Sequence, residues 1–410
     1  MTVDAADRAP LPAPDLAVSD LPVPDLPVPD LSEAALAEVT RQLADAAPTF
    51  DRSGALPWPG IEVAHRAGLL TATIGRRYGG PEVSAIDALR ILIALGEGDA
   101  SVALLAANTL SVHQRQAIDH TWPDELYRDI VARSAVEPTL VNAIRAEPEL
   151  GAPARGGLPK TVATRTSDGW VVNGHKAFAT GGTGLAYHVV WVTADEPGGD
   201  PDAPRVGHIL VPGDAPGIAW TETWDHLGLR ASNTHDVTYR DVHVPAAAFL
   251  EIPRGADGRY VDPAVAASIS GLGHPALYIG VARAARAAFV RYARERVPTA
   301  LGRPIAQTER IRGVAGEIEA QIAQAETLLF GSLLRAQSGD DSHLAQASVI
   351  KVQIVRSAIA AVSAASAALG NAGLTRHQPF ERLLRDVLCA RVHPPQEDAA
   401  LLAAGTRLLS

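Results

Sequence analysis

The order in which the local pattern changes along the chain constrains its fold most. Apolar residues recur at i, i+3 and i+4 through the first third, which predicts helices over 32–46, 59–69, 84–96, 99–118 and 124–134. Ser32 stands where a helix N-cap belongs, and Gly79-Gly80-Pro81 punctuates the helical region. Between 146 and 258 the pattern becomes short β-type runs separated by Pro, Gly and Asp-Gly turns: Thr161–Thr166, Trp170–Asn173, His188–Thr193, Val206–Val211 and Asp236–Val244. Asp168-Gly169 between the first two predicts a tight hairpin. These runs predict an antiparallel β-domain, barrel or sandwich. From about 262 helical spacing returns in longer stretches, 275–296, 307–337, 342–370 and 379–391. The alanine-rich stretch 357–369 is apolar on nearly every side, as a buried bundle helix would be.

The expected organisation is a tail over 1–31, a helical domain over 32–145, a β-domain over 146–258 and a C-terminal four-helix bundle over 259–410. Residues 12–31 read PAPDL-AVSDL-PVPDL-PVPDL, and proline at this density predicts a disordered or extended segment. An idle tail is the plainer reading of it, and docking to a partner is the alternative.

Composition narrows the function classes. Cys389 is the only cysteine, so neither an intrachain disulfide nor a thiolate metal cluster can form. Net charge is −10 with no basic run, which argues against nucleic acid. No apolar run was expected to reach the roughly 18–20 residues of a membrane span, and no basic-then-apolar leader opens the chain, so a cytoplasmic protein is expected. Histidines show no metal-ligand spacing.

Five segments in register resemble the acyl-CoA dehydrogenase superfamily. They are GLLTATIGRRYGG at 68–80, GWVVNGHKAFATGG at 169–182, HLGLRASNTHDVTYRDVHVP at 226–245, ALGNAGL at 368–374 and Arg385-Asp386. The resemblance implies a mainly α fold with a central β-domain and a flavin cofactor, FAD or FMN. It places Phe178, Ala179, Thr180 and Gly181 against the flavin ring, with the Thr180 hydroxyl toward flavin N5 or O4. An ordinary β-turn explains Thr180-Gly181-Gly182 equally well without a ligand. Gly370, Asn371 and Arg296 fall where the family holds the cofactor's distal part across a subunit interface. A left-handed helix C-cap at Gly370 is compatible with that role. Glu309 stands where the family has a glutamine, and a carboxylate beside a phosphate is repulsive, which makes FMN the alternative to FAD. Arg230 is expected to hold its own loop rather than to do chemistry.

A dehydrogenase of this family needs a carboxylate base at the substrate α-carbon. The two places that supply it hold Pro394, in Val392-His393-Pro394-Pro395-Gln396, and Ser270. Glu397 could serve only if the loop shifted, and the plainer reading is an exposed acid in the first turn of a helix. The replaced loop carries His393 and resembles the monooxygenase branch, whose members take reduced flavin from a separate reductase. There His393 would be the catalytic acid or base, with a helix cap as its bland alternative. Gln396 is grouped with the cofactor contacts, and Ser270 and His113 with the substrate, His113 alternatively being a surface residue at a helix end. Three functions compete: a two-component monooxygenase, an acyl-thioester dehydrogenase with an unorthodox base, and a non-catalytic scaffold. A homotetramer or homodimer is expected.

Overall fold

A computed structural model describes residues 26–150, 157–200, 204–252, 260 and 268–410, with the side chains of 268–271 and 341–345 left aside. The helical region comprises α1 (Glu33–Ser53), α2 (Trp58–Arg66), α3 (Ala85–Gly98), α4 (Ala100–Asp119) and α5 (Asp124–Val136). Side-chain caps set three of these starts. Ser32 accepts from the Ala35 N–H, Ser84 from Asp87 N–H, and Asp99 from Ser101 and Val102 N–H, satisfying donors that have no partner inside the helix.

The central domain is one eight-stranded sheet of β1 (Leu140–Ile144), β2 (Val162–Arg165), β3 (Gly169–Ala179), β4 (Leu185–Asp195), β5 (Val206–Pro212), β6 (Ile218–Thr221), β7 (His235–Pro245) and β8 (Phe249–Glu251). Its order is β6-β7-β3-β2-β4-β5-β8, and β1 runs beside β4. β1 and β2 both pair parallel with β4, so the sheet is mixed, where a wholly antiparallel barrel or sandwich was expected. Among the described residues no pairing joins β6 to β8. The first strand starts at Leu140, inside the stretch read as helical, because five residues following a helix carry too little periodicity to announce a strand. The hairpin at Asp168-Gly169 is present, with Thr166 N–H donating to the Gly169 carbonyl.

The C-terminal part contains α6 (Ser268–Glu295), α7 (Glu309–Gln337), α8 (Asp341–Ala367), α9 (Phe380–Leu388) and α10 (Glu397–Leu409). α10 is the helix whose first turn was expected to hold Glu397, and it follows the four helical stretches foreseen. α3 crosses α6 at Gly96 and Gly280, where a Cβ on either residue would overlap the facing backbone. Within α8, Gln346–Ala367 is long and apolar enough to cross a membrane, contrary to expectation. It carries Lys351 and Arg356, and packs with α6 and α7 as a bundle helix.

The end of the repeat tract is extended but not free. Leu26 is buried, Arg90 donates to the Leu31 carbonyl, and the Pro27 carbonyl lies against Gly68. Residues 12–25 of the repeat tract lie outside the described residues.

Candidate functional site

β3 builds the expected flavin-facing segment. Its pairing with β7 slips between Lys176 and Ala179, and Phe178 sits in the bulge with φ +58°. Such backbone is uncommon and strained for a bulky residue, and bulges re-aim side chains next to functional sites. The Phe178 ring is 65% exposed between buried Ala177 and Ala179, an apolar face open to a planar ligand. Just before it, Lys176 is fully buried with Nζ 2.7 Å from Glu147. Glu147 also accepts from the Thr161 hydroxyl at 2.6 Å and from the Lys160 and Thr161 N–H groups. These bonds lock β3 to the neighbouring strand and turn. Burial pushes the Lys176 pKa down to about 8.

Thr180 ends a directed chain of hydroxyls. The Thr234 hydroxyl donates to Thr180 Oγ1 at 3.1 Å, so it must accept from Ser232 Oγ at 2.7 Å. Asn142 on β1 donates to the Thr180 carbonyl at 2.9 Å. The Thr180 O–H then has no protein acceptor among the described residues, which suits a donor to a flavin edge acceptor. Gly181 and Gly182 have φ of +106° and +48°, and side chains there would strike Leu185 and Asn233. Packing and turn geometry therefore require these glycines whether or not a ligand approaches.

Arg296, Thr308, Arg310 and Asn371 line one cavity of about 540 Å³, with Gly370 adjoining at φ +57°. The Arg296 guanidinium has no hydrogen-bond partner among the described residues and suits an anionic group. Thr308 and Arg310 flank Glu309, the first residue of α7. Phe178 and the Thr180 hydroxyl fit a flavin ring, an open aromatic face beside a hydroxyl donor, while the cationic recess at Arg296 is a separate cavity lined by neither of them. When bound, the flavin would supply the redox chemistry.

His393 lies within the second constellation. The Tyr278 hydroxyl meets His393 Nε2 at 2.7 Å. His274, one turn before Tyr278 on α6, stacks on the His393 ring with centroids 4.4 Å apart and planes 12° apart. Lys351 of α8 donates to the carbonyls of His393 and Pro395, the latter at 2.9 Å. Burial, then His274 and Lys351, hold His393 well below the usual imidazole pKa. Burial, then Lys351 and Arg145, bring His274 to about 4, and burial raises Tyr278 well above its usual range. Tyr278 and His393 are both neutral, and the bond at Nε2 fixes the orientation of the His393 ring. His393 does stand at the C-cap of the 3-10 turn Cys389–Val392, and its ring in addition meets Tyr278 and His274.

The other candidates are placed differently. Glu397 opens α10 and pairs with Arg356 at 2.5 Å. Arg356 lies five residues beyond Lys351 on α8, about 140° around the helix at 100° per residue. The Glu397 carboxylate is thus engaged by an exposed arginine and makes no contact with the His393 ring among the described residues. Gln396 is the N-cap position of α10, and its amide reaches back only to the Val392 carbonyl at 3.5 Å. Ser270 begins α6, its side chain outside the described residues. His113 is neither at a helix end nor exposed. It is fully buried within α4, 2.8 Å from the Tyr127 hydroxyl. Arg230 holds the carbonyls of Asp51 and His226, with Asp225 nearby, as expected.

His274, Tyr278 and Lys351 were not singled out from sequence. Lys351 had a signal: it is one of three lysines and sits in the most apolar helix. The i, i+4 spacing of His274 and Tyr278 was the other.

Burial drives the pKa values of His113 and His188 to about 4. Their folded-state values lie below the unfolded value, so the folded protein binds fewer protons and loses stability as pH falls through 6.5 toward 4. At pH 5 each costs about 2 kcal/mol relative to pH 8. His113→Gln, which can still bond Tyr127 but cannot titrate, is expected to flatten the fall of the urea midpoint between pH 7 and 5. An unchanged slope would remove His113 from the acid response.

Comparison with known proteins agrees with this architecture. The acyl-CoA dehydrogenase N-terminal, middle and C-terminal domain profiles match residues 30–125, 143–242 and 270–393. YdbM of Bacillus subtilis (strain 168), which carries an acyl-CoA dehydrogenase name, is 30% identical over 89% of this chain and 93% of its own. The amino sugar nitrososynthase RubN8 of Streptomyces rubradiris is 32% identical over 59% of this chain and 56% of its own. TdsC from Paenibacillus sp. A11-2, solved with FMN and indole, superposes with a TM-score of 0.79 at 23% identity, covering 91% of this chain and 96% of its own. With all three domain profiles in order along a helix–sheet–helix chain, the protein belongs to the acyl-CoA dehydrogenase family, a family of flavin-dependent oxidoreductases.

Proposed function

We propose that this protein is a two-component flavin-dependent monooxygenase, taking reduced flavin from a separate reductase and acting with O2 on a small organic substrate. The observation that carries the reading is the neutral His393 ring, held by Tyr278, with no carboxylate in contact with it among the described residues. Pro394 occupies the loop position of a base, and Glu397 is committed to Arg356. Reduced flavin supplies the electrons that activate O2. The chain's own groups orient that cofactor through Phe178 and Thr180. They also exclude water and place the neutral His393 imidazole to take a proton from the substrate and pass it to an oxygen atom. The nitrososynthase and TdsC likenesses are in keeping with this. FMN or FAD, with Arg296 and Asn371 meeting its distal part, and a homodimer or homotetramer using the exposed leucines of α10 belong to the same proposal.

The test mixes protein loaded anaerobically with reduced FMN or FAD with oxygenated buffer. Expected is a delay between oxygen consumption and the return of oxidised-flavin absorbance, absent in free flavin. Simultaneous return would sink the reading. The YdbM likeness favours a second one, an acyl-thioester dehydrogenase with Glu397 as base. On our reading acyl-CoA does not bleach bound oxidised FAD, and Glu397→Gln leaves oxygen transfer within about twofold. Bleaching that Glu397→Gln abolishes would establish the dehydrogenase.

A further inference from the structure

Resting on that reading of the site, we infer that His274 and His393, flanked by Lys351, form a seat for a compact oxyanion, so that the substrate is a small organic acid bearing a carboxylate or sulfonate. The cluster sets two imidazoles, each able to offer an N–H, beside one buried cation, Lys351. His274 is half-buried and makes no hydrogen bond among the described residues, stacking on His393 being its interaction. His393 spends Nε2 on Tyr278, which leaves Nδ1 for a ligand. Lys351 is buried and bonds two backbone carbonyls, dipoles that solvate its charge without cancelling it.

The acids that could neutralise this charge are committed elsewhere. Asp386, which faces Tyr278, accepts from Leu229 N–H at 2.8 Å and sits 3.7 Å from Arg382. Glu397 pairs with Arg356. A buried cation without an anion is costly, and an arriving oxyanion supplies one while accepting from imidazole N–H groups. It would also favour protonation of one imidazole, and stacking at 4.4 Å permits one such proton rather than two. The seat therefore holds substrate by its anionic end beside the proton donor His393.

Flavin-free protein labelled with 13C in its histidine rings provides the test, so the outcome is independent of oxygen chemistry. The probes are sodium acetate and sodium methanesulfonate at constant ionic strength, with acetamide as the neutral isostere. His274→Gln assigns the His274 resonance. Expected is a saturable shift of the His274 and His393 resonances by one or both anions. The titration midpoint of one ring should rise by about one pH unit, a tenfold change in proton affinity, with no response to acetamide. A response to acetate alone identifies a carboxylate, and to methanesulfonate alone a sulfonate. In His274→Gln the anion's affinity, read on His393, falls at least tenfold. Silent resonances, equal response to acetamide, unchanged affinity in His274→Gln, or displacement of the anion by added FMN would each overturn the inference, the last by giving the seat to the cofactor. A protein that fails the oxygen test yet passes this one keeps the anion seat and loses only the monooxygenase reading.

Discussion

His393→Ala is expected to lower the single-turnover rate of oxygen transfer at least a hundredfold, the ordinary range for removing a positioned proton donor being about 10²–10⁴. Tyr278→Phe should cost less, about tenfold, because the imidazole remains but loses the bond that orients its ring. His393→Ala removes a half-buried ring on a loop still tethered by Lys351, so its thermal midpoint should move by only a few degrees. Rates would be read by product formation after mixing reduced-flavin enzyme with oxygen and substrate. Full activity in His393→Ala would remove this residue from the mechanism. An equal loss in His393→Ala and His393→Gln would be expected, since an amide can hydrogen-bond but cannot deliver a proton at neutral pH.

Arg385→Ala is expected to lower folding stability by about 3 kcal/mol, the low end for leaving buried acids without their cation. Arg385 bonds both carboxylate oxygens of Asp51 on α1, at 2.9 and 2.7 Å, and Glu381 at 2.8 and 3.1 Å. It also donates to the Leu227 carbonyl at 3.0 Å. The three parts of the chain therefore meet at this one side chain, which is 20% exposed. Lysine cannot supply the paired geometry, so Arg385→Lys should recover less than half the loss. The loss should shrink as pH is lowered toward 5, because freed acids can then protonate. Burial already raises Asp386 to about 6, and a raised acid stabilises the fold at low pH and ceases to do so as pH climbs through that value. Urea midpoints at pH 5 and 8 provide the check, and an equal loss at both would contradict this account. The same variant should loosen the flavin segment. Asp386 holds the Leu229 N–H, the Ser232 carbonyl accepts from Gly181 N–H, and Ser232 begins the hydroxyl chain to Thr180.

Much of the fold was legible because it depends on local chemistry. Ser32, Asp168-Gly169 and the apolar spacing of α3, α4, α6 and α7 act within a few residues of themselves. The mixed character of the sheet was not legible. β1 and β2 both run parallel to β4, and that pairing joins residues some thirty to fifty positions apart with nothing local to mark it. His113 shows the same limit from the other side. A histidine near a helix end reads as exposed, yet the hydroxyl of Tyr127, fourteen residues on, makes its burial tolerable.

The helix–sheet–helix order and the family could be read before any fold was known. Each is written in residue type and spacing, which tertiary contacts do not alter. Only the tertiary structure decided which side chains share a site. It turned Glu397 outward to Arg356, brought Lys351 from α8 beneath the His393 loop, and laid His274 of α6 flat against a ring more than a hundred residues away. The reason is that an ionisable group's role is set by what surrounds it in a region of low dielectric. Those surroundings are assembled from distant segments, so His393 is a neutral, oriented proton donor only after folding has buried it among Tyr278, His274 and Lys351.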